Sequence, residues 1–282
     1  MSPFSPPDAA WVPIGNPDPA WPPAASTSPR SEGLAWNWFR SDPALRAGRL
    51  PFRPDRGAHW IAAIVASVGF GFLLLNFVAM MVLLALGKAD DVPLTLSGLV
   101  VNSLLSLVLF AVTALVWVGV MHAGSWRAWS SRLLLRSDAP FRDVGLGLAA
   151  AVGMILVLAG VNLVFELLGS GPPENPQVDK IGQLITWPVI VLIALTAGIG
   201  EEIFFRGLLQ PRVGIVATSV LFGVVHAGYG VWIQVVAPFA MAFVFSFLTV
   251  RFRSLLPAIT AHVAFDFVAL SLAKLAADNG WT

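Results

Sequence analysis

Six ionisable side chains lie within stretches of this chain that are otherwise apolar, and their types are those of acid–base and metal chemistry. They are Glu201, Glu202, Arg206, His226, His262 and Asp266. On insertion scales, each charged side chain at mid-membrane costs about 2.5–3.5 kcal/mol. Groups placed at that cost are paired with one another, buried in protein, or used for function.

Helical spacing predicts different roles for the two neighbouring glutamates. Glu202 and Arg206 are four residues apart, so they face the same side of a helix and can form an ion pair. Glu201 is rotated by about 100° from Glu202, and it has no cation four residues further on. We therefore expect Glu202 to be paired and Glu201 to be left without an intrahelical partner.

Two further segments place histidines at the same spacing. Phe222 precedes His226 by four residues, and His262 precedes Asp266 by four. In the second pair, the carboxylate could fix the histidine tautomer or share a ligand. Three helices therefore each present polar groups, and a compact bundle could bring these groups together.

These residue types fit hydrolysis of an amide. Glutamate and histidine in a low-dielectric cavity can share a water molecule and deprotonate it. Imidazole nitrogen and carboxylate oxygen also bind Zn²⁺, so Glu201, His226 and His262 are candidate metal ligands, and the cofactor is either none or zinc. A second histidine beside an aspartate could polarise a carbonyl or stabilise the oxyanion formed on it.

Other protease chemistries fit the sequence poorly. There is no cysteine, no HExxH zinc motif and no GxSxG serine motif. Only one aspartate falls inside an apolar span, which excludes an aspartyl dyad. The chain has no basic patch interleaved with aromatic residues, so we expect no nucleic-acid partner.

The elements that must position these groups are membrane helices. Hydrophobic residues make up 57% of the chain and charged residues 12%, with a mean hydropathy of +0.78, whereas soluble domains carry roughly a quarter charged residues. We predict an all-α, polytopic bundle of about seven spans in the bilayer. The predicted spans are about Trp60–Leu86, Leu94–Val120, Val144–Leu168, a fourth from near Leu184 that includes GIGEEIFFRG, Val213–Ala227, a sixth ending near Val250, and Leu255–Lys274.

Loop charges predict the orientation. Arginines concentrate before the first span, between spans two and three, and after spans four and six, whereas the loops after spans one and three are acidic on balance. The positive-inside rule then gives a cytoplasmic N-terminus and an outward C-terminus, in a protein of the cell membrane. This orientation places Glu201 and Glu202 in the cytoplasmic half of span four. Residues 1–58, rich in Pro, Ala and Trp, are expected to be a disordered cytoplasmic tail before a transmembrane domain at 59–282.

Three motifs in order, EEIFFR (Glu201 to Arg206), FGVVH (Phe222 to His226) and HVAFD (His262 to Asp266), resemble the CAAX-protease and bacteriocin-processing family. That family, also called CPBP or Abi, includes the type II CAAX prenyl endopeptidases. The resemblance covers about residues 146–273. It implies an intramembrane endopeptidase that acts on a peptide or lipidated protein at a site open to the cytosol.

The resemblance also implies roles for individual residues. Glu201 and His226 would activate water, Glu202 and Arg206 would order the site, and His262 with residue 266 would stabilise the oxyanion. Position 266 is Asp here, where the prenyl endopeptidases have Asn. An ionised aspartate cannot donate a hydrogen bond to an oxyanion, so it would partner His262, bind a metal, or remain protonated.

Two other classes of function compete with proteolysis. A non-proteolytic immunity or scaffold protein could keep the fold and bind a peptide or membrane partner. A transporter or proton relay could use the same buried carboxylates, although the absence of inverted repeats argues against it. The sequence indicates neither the substrate nor the oligomeric state.

Overall fold

The computed structural model describes residues 53–88, 93–121, 126–171, 176–227 and 231–280. Of the predicted N-terminal tail, residues 1–52 lie outside the described ranges. Inside those ranges the chain forms helices and no strands. In chain order these are α1 (Gly57–Ala85), α2 (Leu96–Met121), α3 (Trp126–Arg132), α4 (Pro140–Leu167), α5 (Pro176–Leu184), α6 (Trp187–Glu202), a π-helical segment (Ile203–Leu209), α7 (Gln210–Val213), α8 (Ile215–Val225), α9 (Ile233–Phe252) and α10 (Leu256–Asn279).

Six helical stretches in the described part of the chain are long and apolar enough to cross a membrane: α1, α2, α4, α6 through α7, α9 and α10. Helix α8 has 11 residues, or about 16 Å of rise, which is roughly half of the ~30 Å hydrocarbon layer. The prediction of an all-α membrane bundle is therefore confirmed, with the fifth predicted span a short helix. The predicted orientation, with the N-terminus inside and the C-terminus outside, stays a prediction.

The outer helices are apolar around their whole circumference, as expected where lipid replaces water. On α1, Leu74 is 63% exposed and Leu75 is 68% exposed. In the apolar stretch of α1 only 6% of residues are buried, whereas half are buried in the stretch from α6 to α7. The helix that carries both glutamates is therefore the central one of the bundle.

Two glycines let neighbouring helices approach α6 closely. A Cβ added at Gly198 would lie 3.0 Å from the backbone nitrogen of Val263 on α10, and one added at Gly200 would lie 3.0 Å from Cα of Leu107 on α2. Both glycines are buried. Only residues without a side chain fit at such contacts, so the sequence places α10 directly against the helix of Glu201 and Glu202.

The segment between α3 and α4 packs on the π-helical segment. Leu133 is fully buried, and a Cβ at Gly207 would lie 3.3 Å from its carbonyl oxygen. The backbone nitrogen of Leu255 donates a 2.8 Å hydrogen bond to the carbonyl oxygen of Leu134. A connection that the sequence predicted only as a loop thus contributes to the core and ties α3 to the start of α10.

Candidate active site

The chain reverses direction at Gly214, between α7 and α8. Its φ of 87° lies in the region that glycine adopts at low cost. Arg206 lies eight residues before this turn and Phe222 eight after it, and the guanidinium carbon of Arg206 is 4.4 Å from the Phe222 ring centroid. The segments before and after the turn therefore contact each other at positions equally far from Gly214. Glu201 lies thirteen residues before the turn and His226 twelve after it, and the two side chains are within electrostatic range of each other.

A π-helical segment begins directly after the two glutamates. All seven of its residues, Ile203–Leu209, are buried, and Arg206 is among them. Wider π-helical turns inside α-helices occur frequently at functional sites. The helix continues through Gln210 into α7, so this local widening lies within one helical stretch and directly after the two glutamates.

The Glu202 carboxylate contacts two other buried polar side chains. Its Oε1 accepts a hydrogen bond of 2.8 Å from Nη1 of Arg206, and it lies 2.9 Å from Nδ1 of His262. Glu202 and Arg206 are fully buried, and His262 is 4% exposed. The predicted Glu202–Arg206 ion pair is present, and the same carboxylate oxygen also joins α6 to α10.

His262 faces a carboxylate at each ring nitrogen. Nδ1 faces Glu202, and Nε2 lies 3.4 Å from Oδ2 of Asp266, which is longer than an ordinary N–H···O hydrogen bond. The Asp266 side chain is 23% exposed, so it lies toward the more open side of the site. In this arrangement, Asp266 is a partner of His262, which was one of the alternatives for this position.

Glu201 differs from Glu202 as the spacing predicted. Its Oε2 is buried without a hydrogen-bond partner, while His262 and His226 lie within electrostatic range of the carboxylate. A buried acceptor with no partner costs about 1–3 kcal/mol, and a water molecule or a substrate group would relieve that cost. Both histidines are therefore close enough to influence the Glu201 carboxylate electrostatically, and one of its oxygens is able to accept a hydrogen bond.

His226 ends helix α8, where it is the C-cap residue. Its Nδ1 lies 2.7 Å from the carbonyl oxygen of Phe222. A carbonyl only accepts, so Nδ1 carries the hydrogen and, in the neutral ring, Nε2 carries the lone pair. This is the tautomer required of a proton acceptor at Nε2.

Three phenylalanine rings surround Arg206. Its guanidinium carbon lies 4.4 Å from the Phe222 centroid, 5.1 Å from that of Phe245 and 5.9 Å from that of Phe205. Nε and Nη2 of Arg206 have no hydrogen-bond partner, and aromatic faces attract such cations. Sequence reasoning did not find Phe245, because a phenylalanine in an apolar span carries no signal that separates it from ordinary core.

The candidate zinc ligands do not form a metal-binding group. Among the residues that the structure describes, no three His, Asp or Glu side chains are grouped so that they could hold one metal ion. Both ring nitrogens of His262 already face carboxylates of this chain. We therefore derive no catalytic step through a metal, and zinc dependence stays an untested prediction, as do the catalytic roles of the six residues.

Comparisons with known proteins agree with the motifs. Residues 183–268 match the family model described as type II CAAX prenyl endopeptidase Rce1-like. The uncharacterized protein YpbD of Bacillus subtilis (strain 168) is 29% identical over 120 residues. That alignment covers 42% of this chain and 63% of YpbD, so the chain spans less than two thirds of the length of this relative. No solved structure matches the chain significantly.

The family match runs from the end of α5 into α10 and includes all six residues of the candidate site. It lies within the stretch of about 146–273 to which the motifs pointed, although it is shorter. The resemblance is therefore confirmed: over residues 183–268 this membrane protein matches the Rce1-like type II CAAX prenyl endopeptidases, which are a family of peptidases.

Proposed function

We propose that the protein is an intramembrane endopeptidase that hydrolyses a peptide bond of a membrane-associated or lipidated peptide, with water activated by Glu201 and His226. The observation that carries this proposal is the difference between the two adjacent carboxylates. Glu202 is held by Arg206 and faces His262, whereas Glu201 has a buried oxygen without a partner and two histidines in range. One carboxylate orders the site, and the other is available to a water molecule.

In the proposed reaction, Glu201 accepts a proton from a water molecule that also donates to Nε2 of His226. The resulting hydroxide attacks the carbonyl carbon of the substrate, and the carbonyl oxygen becomes an oxyanion. Nε2 of His262, whose contact with Asp266 is 3.4 Å long, would donate a hydrogen bond to this oxyanion in place of Asp266. The C–N bond then breaks as the proton held by Glu201 passes to the leaving nitrogen. The products are a free carboxylate and a free amine, and Glu201 returns to its starting state.

The proposed substrate class follows from where the site lies. The six residues are carried by helices α6, α8 and α10 and the π-helical segment, and two of these helices belong to stretches apolar enough to span the bilayer. A scissile bond that reaches them has to enter among membrane helices, and a lipid chain or an apolar anchor would keep it there. We therefore propose a prenylated or otherwise membrane-tethered peptide.

The test uses the full-length protein in lipid nanodiscs with a farnesylated peptide and the same peptide without the lipid. We expect cleavage of the lipidated probe by the wild type and its loss in Glu201→Ala and in His226→Ala. Glu166→Ala is the matched control, because Glu166 is exposed on α4. This variant should cleave the probe at the wild-type rate. Size-exclusion profiles and melting curves check that each variant is inserted and folded.

Two results would reject the enzymatic proposal. Full cleavage by both Glu201→Ala and His226→Ala would remove these residues from the reaction. Tight binding of the farnesylated peptide by the wild type, without cleavage of it or of a library of tethered peptides, would favour a peptide-binding immunity or scaffold protein instead.

A further inference from the structure

Phe245 connects two members of the candidate site from a helix that contributes no ionisable group to it. The residue lies on α9 and is fully buried. Its ring is stacked on the His262 ring, with centroids 5.0 Å apart and an interplanar angle of 17°. The same ring centroid lies 5.1 Å from the guanidinium carbon of Arg206. One side chain therefore contacts both of the groups that share Oε1 of Glu202.

The stacking supplies a restraint that the polar contacts of His262 do not. Contacts at Nδ1 and Nε2 act along the ring plane and leave the ring able to rock about the line that joins them. A near-parallel ring at 5.0 Å opposes this rocking, because offset stacking is a favoured geometry of aromatic pairs. Phe222 contacts His262 edge-on, with ring centroids 5.9 Å apart and an interplanar angle of 72°. This contact limits movement of the His262 ring in a second direction.

The contact with Arg206 acts on the other partner of Glu202. Only Nη1 of the guanidinium is hydrogen-bonded to Glu202, and both Nε and Nη2 are buried without hydrogen-bond partners. Aromatic faces attract a desolvated guanidinium. The Phe245 ring therefore stabilises the guanidinium beside Glu202 and reduces the free energy that Arg206 would gain by turning away toward water.

We propose that Phe245 is a positioning residue of this site, whose ring holds His262 and Arg206 against the shared oxygen of Glu202. Its consequence for catalysis rests on the proposed function, because His262 has to face the oxyanion in a fixed orientation. The positioning itself is a property of the folded protein and can be measured without a substrate.

The kinetic test compares Phe245→Leu with Phe110→Leu. Phe110 is 4% exposed and stacks on Phe204 at 5.0 Å, so its replacement makes the same truncation in the core away from His262. We expect kcat to fall about 10-fold more in Phe245→Leu than in the control, with KM within about 2-fold of the wild type. The interaction energies of stacking and cation–π contacts correspond to a factor of about this size. If Phe245 had a purely structural role, kcat would fall by the same factor in both variants.

The spectroscopic test follows the His262 ring directly. The chain has four histidines, so ring-labelled histidine gives few signals, and His262→Gln identifies the one sought. Stacking under an aromatic ring shifts the His262 ring protons upfield. We expect this shift to disappear in Phe245→Leu and to persist in Phe110→Leu.

An unmoved His262 signal in Phe245→Leu, or equal losses of kcat in the two variants, would overturn the proposal. If Phe245→Leu does not fold, pentafluorophenylalanine at position 245 keeps the ring shape but reverses its quadrupole. An unchanged kcat and an unchanged His262 spectrum in that protein would overturn it equally. If the wild type cleaves no probe, the proposed function fails, while the His262 spectra still decide whether Phe245 positions that ring.

Discussion

Replacing Gly198 with alanine tests whether the contact between α6 and α10 sets the geometry of the site. A Cβ there would overlap Cγ2 of Val263, and even with that side chain moved aside it would lie 3.0 Å from the Val263 backbone nitrogen. Ordinary contact begins at 3.4 Å, so the helices must separate by at least about 0.4 Å. His262 precedes Val263 by one residue on α10. Its 2.9 Å approach to Glu202 would lengthen to about 3.3 Å, which is beyond the usual range for N–H···O bonds.

Two magnitudes follow for Gly198→Ala. Overpacking of a close contact costs about 1–3 kcal/mol, so the free energy of unfolding should fall by that amount. A misplacement of about 1 Å can cost 10²-fold in rate, so a shift of a few tenths of an ångström should lower kcat by about 10-fold. The double variant Gly198→Ala/Val263→Ala should recover part of both losses, because the valine side chain also meets the new Cβ.

The assay is thermal unfolding by tryptophan fluorescence beside cleavage of the farnesylated probe. Gly153→Ala on α4 is the matched control, because a Cβ there meets nothing within 4 Å. Alanine is the better helix former by about 1 kcal/mol, so this control should be as stable as the wild type or slightly more so. If Gly198→Ala behaved like Gly153→Ala in both stability and kcat, the close approach of α10 would not be what positions His262.

Three further outcomes are expected. Asp266→Asn should keep the cleavage rate within about 10-fold of the wild type, because the amide oxygen can still face Nε2 of His262. Asp266→Ala should lose more activity than Asp266→Asn, and equal activities of the two variants would contradict the contact between residue 266 and His262. Gly214→Ala should lower the unfolding free energy by about 1–3 kcal/mol, since its φ of 87° is strained for alanine, and an unchanged melting curve would contradict the role of this turn. Extended dialysis against a chelator should leave the cleavage rate unchanged, because the described site residues do not form a metal-ligating group. A loss of activity that Zn²⁺ alone restores would overturn that expectation.

Sequence reasoning could predict the spans and the pairings within helices because both depend on local spacing. A run of apolar residues predicts a membrane helix, and a four-residue interval predicts the ion pair of Glu202 and Arg206, which the structure contains at 2.8 Å. Three motifs in order were enough to point to the family whose model residues 183–268 match. The fifth predicted span, about Val213–Ala227, is the 11-residue helix α8 in the structure, because few apolar residues separate the turn at Gly214 from His226.

Contacts between distant helices could not be predicted in the same way. The 2.9 Å contact of His262 with Glu202 joins residues 60 positions apart, and helical periodicity does not choose between Glu201 and Glu202 as the partner of that histidine. The π-helical segment and the stacking of Phe245 on His262 depend on how α6, α9 and α10 pack. Within the apolar spans, residues of the core and residues facing lipid have similar compositions, so the sequence does not separate them.

Paired isosteric variants distinguish the proposed role of Glu201, which activates water, from that of Glu202, which holds the site together. Glu201→Gln and Glu202→Gln differ by one position and remove one charge each. We predict that Glu201→Gln melts like the wild type and loses cleavage by at least about 10²-fold, the typical contribution of a general base. We predict that Glu202→Gln is destabilised by about 3–5 kcal/mol, because Arg206 would be left buried without its counter-charge. A Glu201→Gln protein that still cleaves at the wild-type rate, beside a stable Glu202→Gln protein that does not cleave, would show that the two glutamates have the opposite roles.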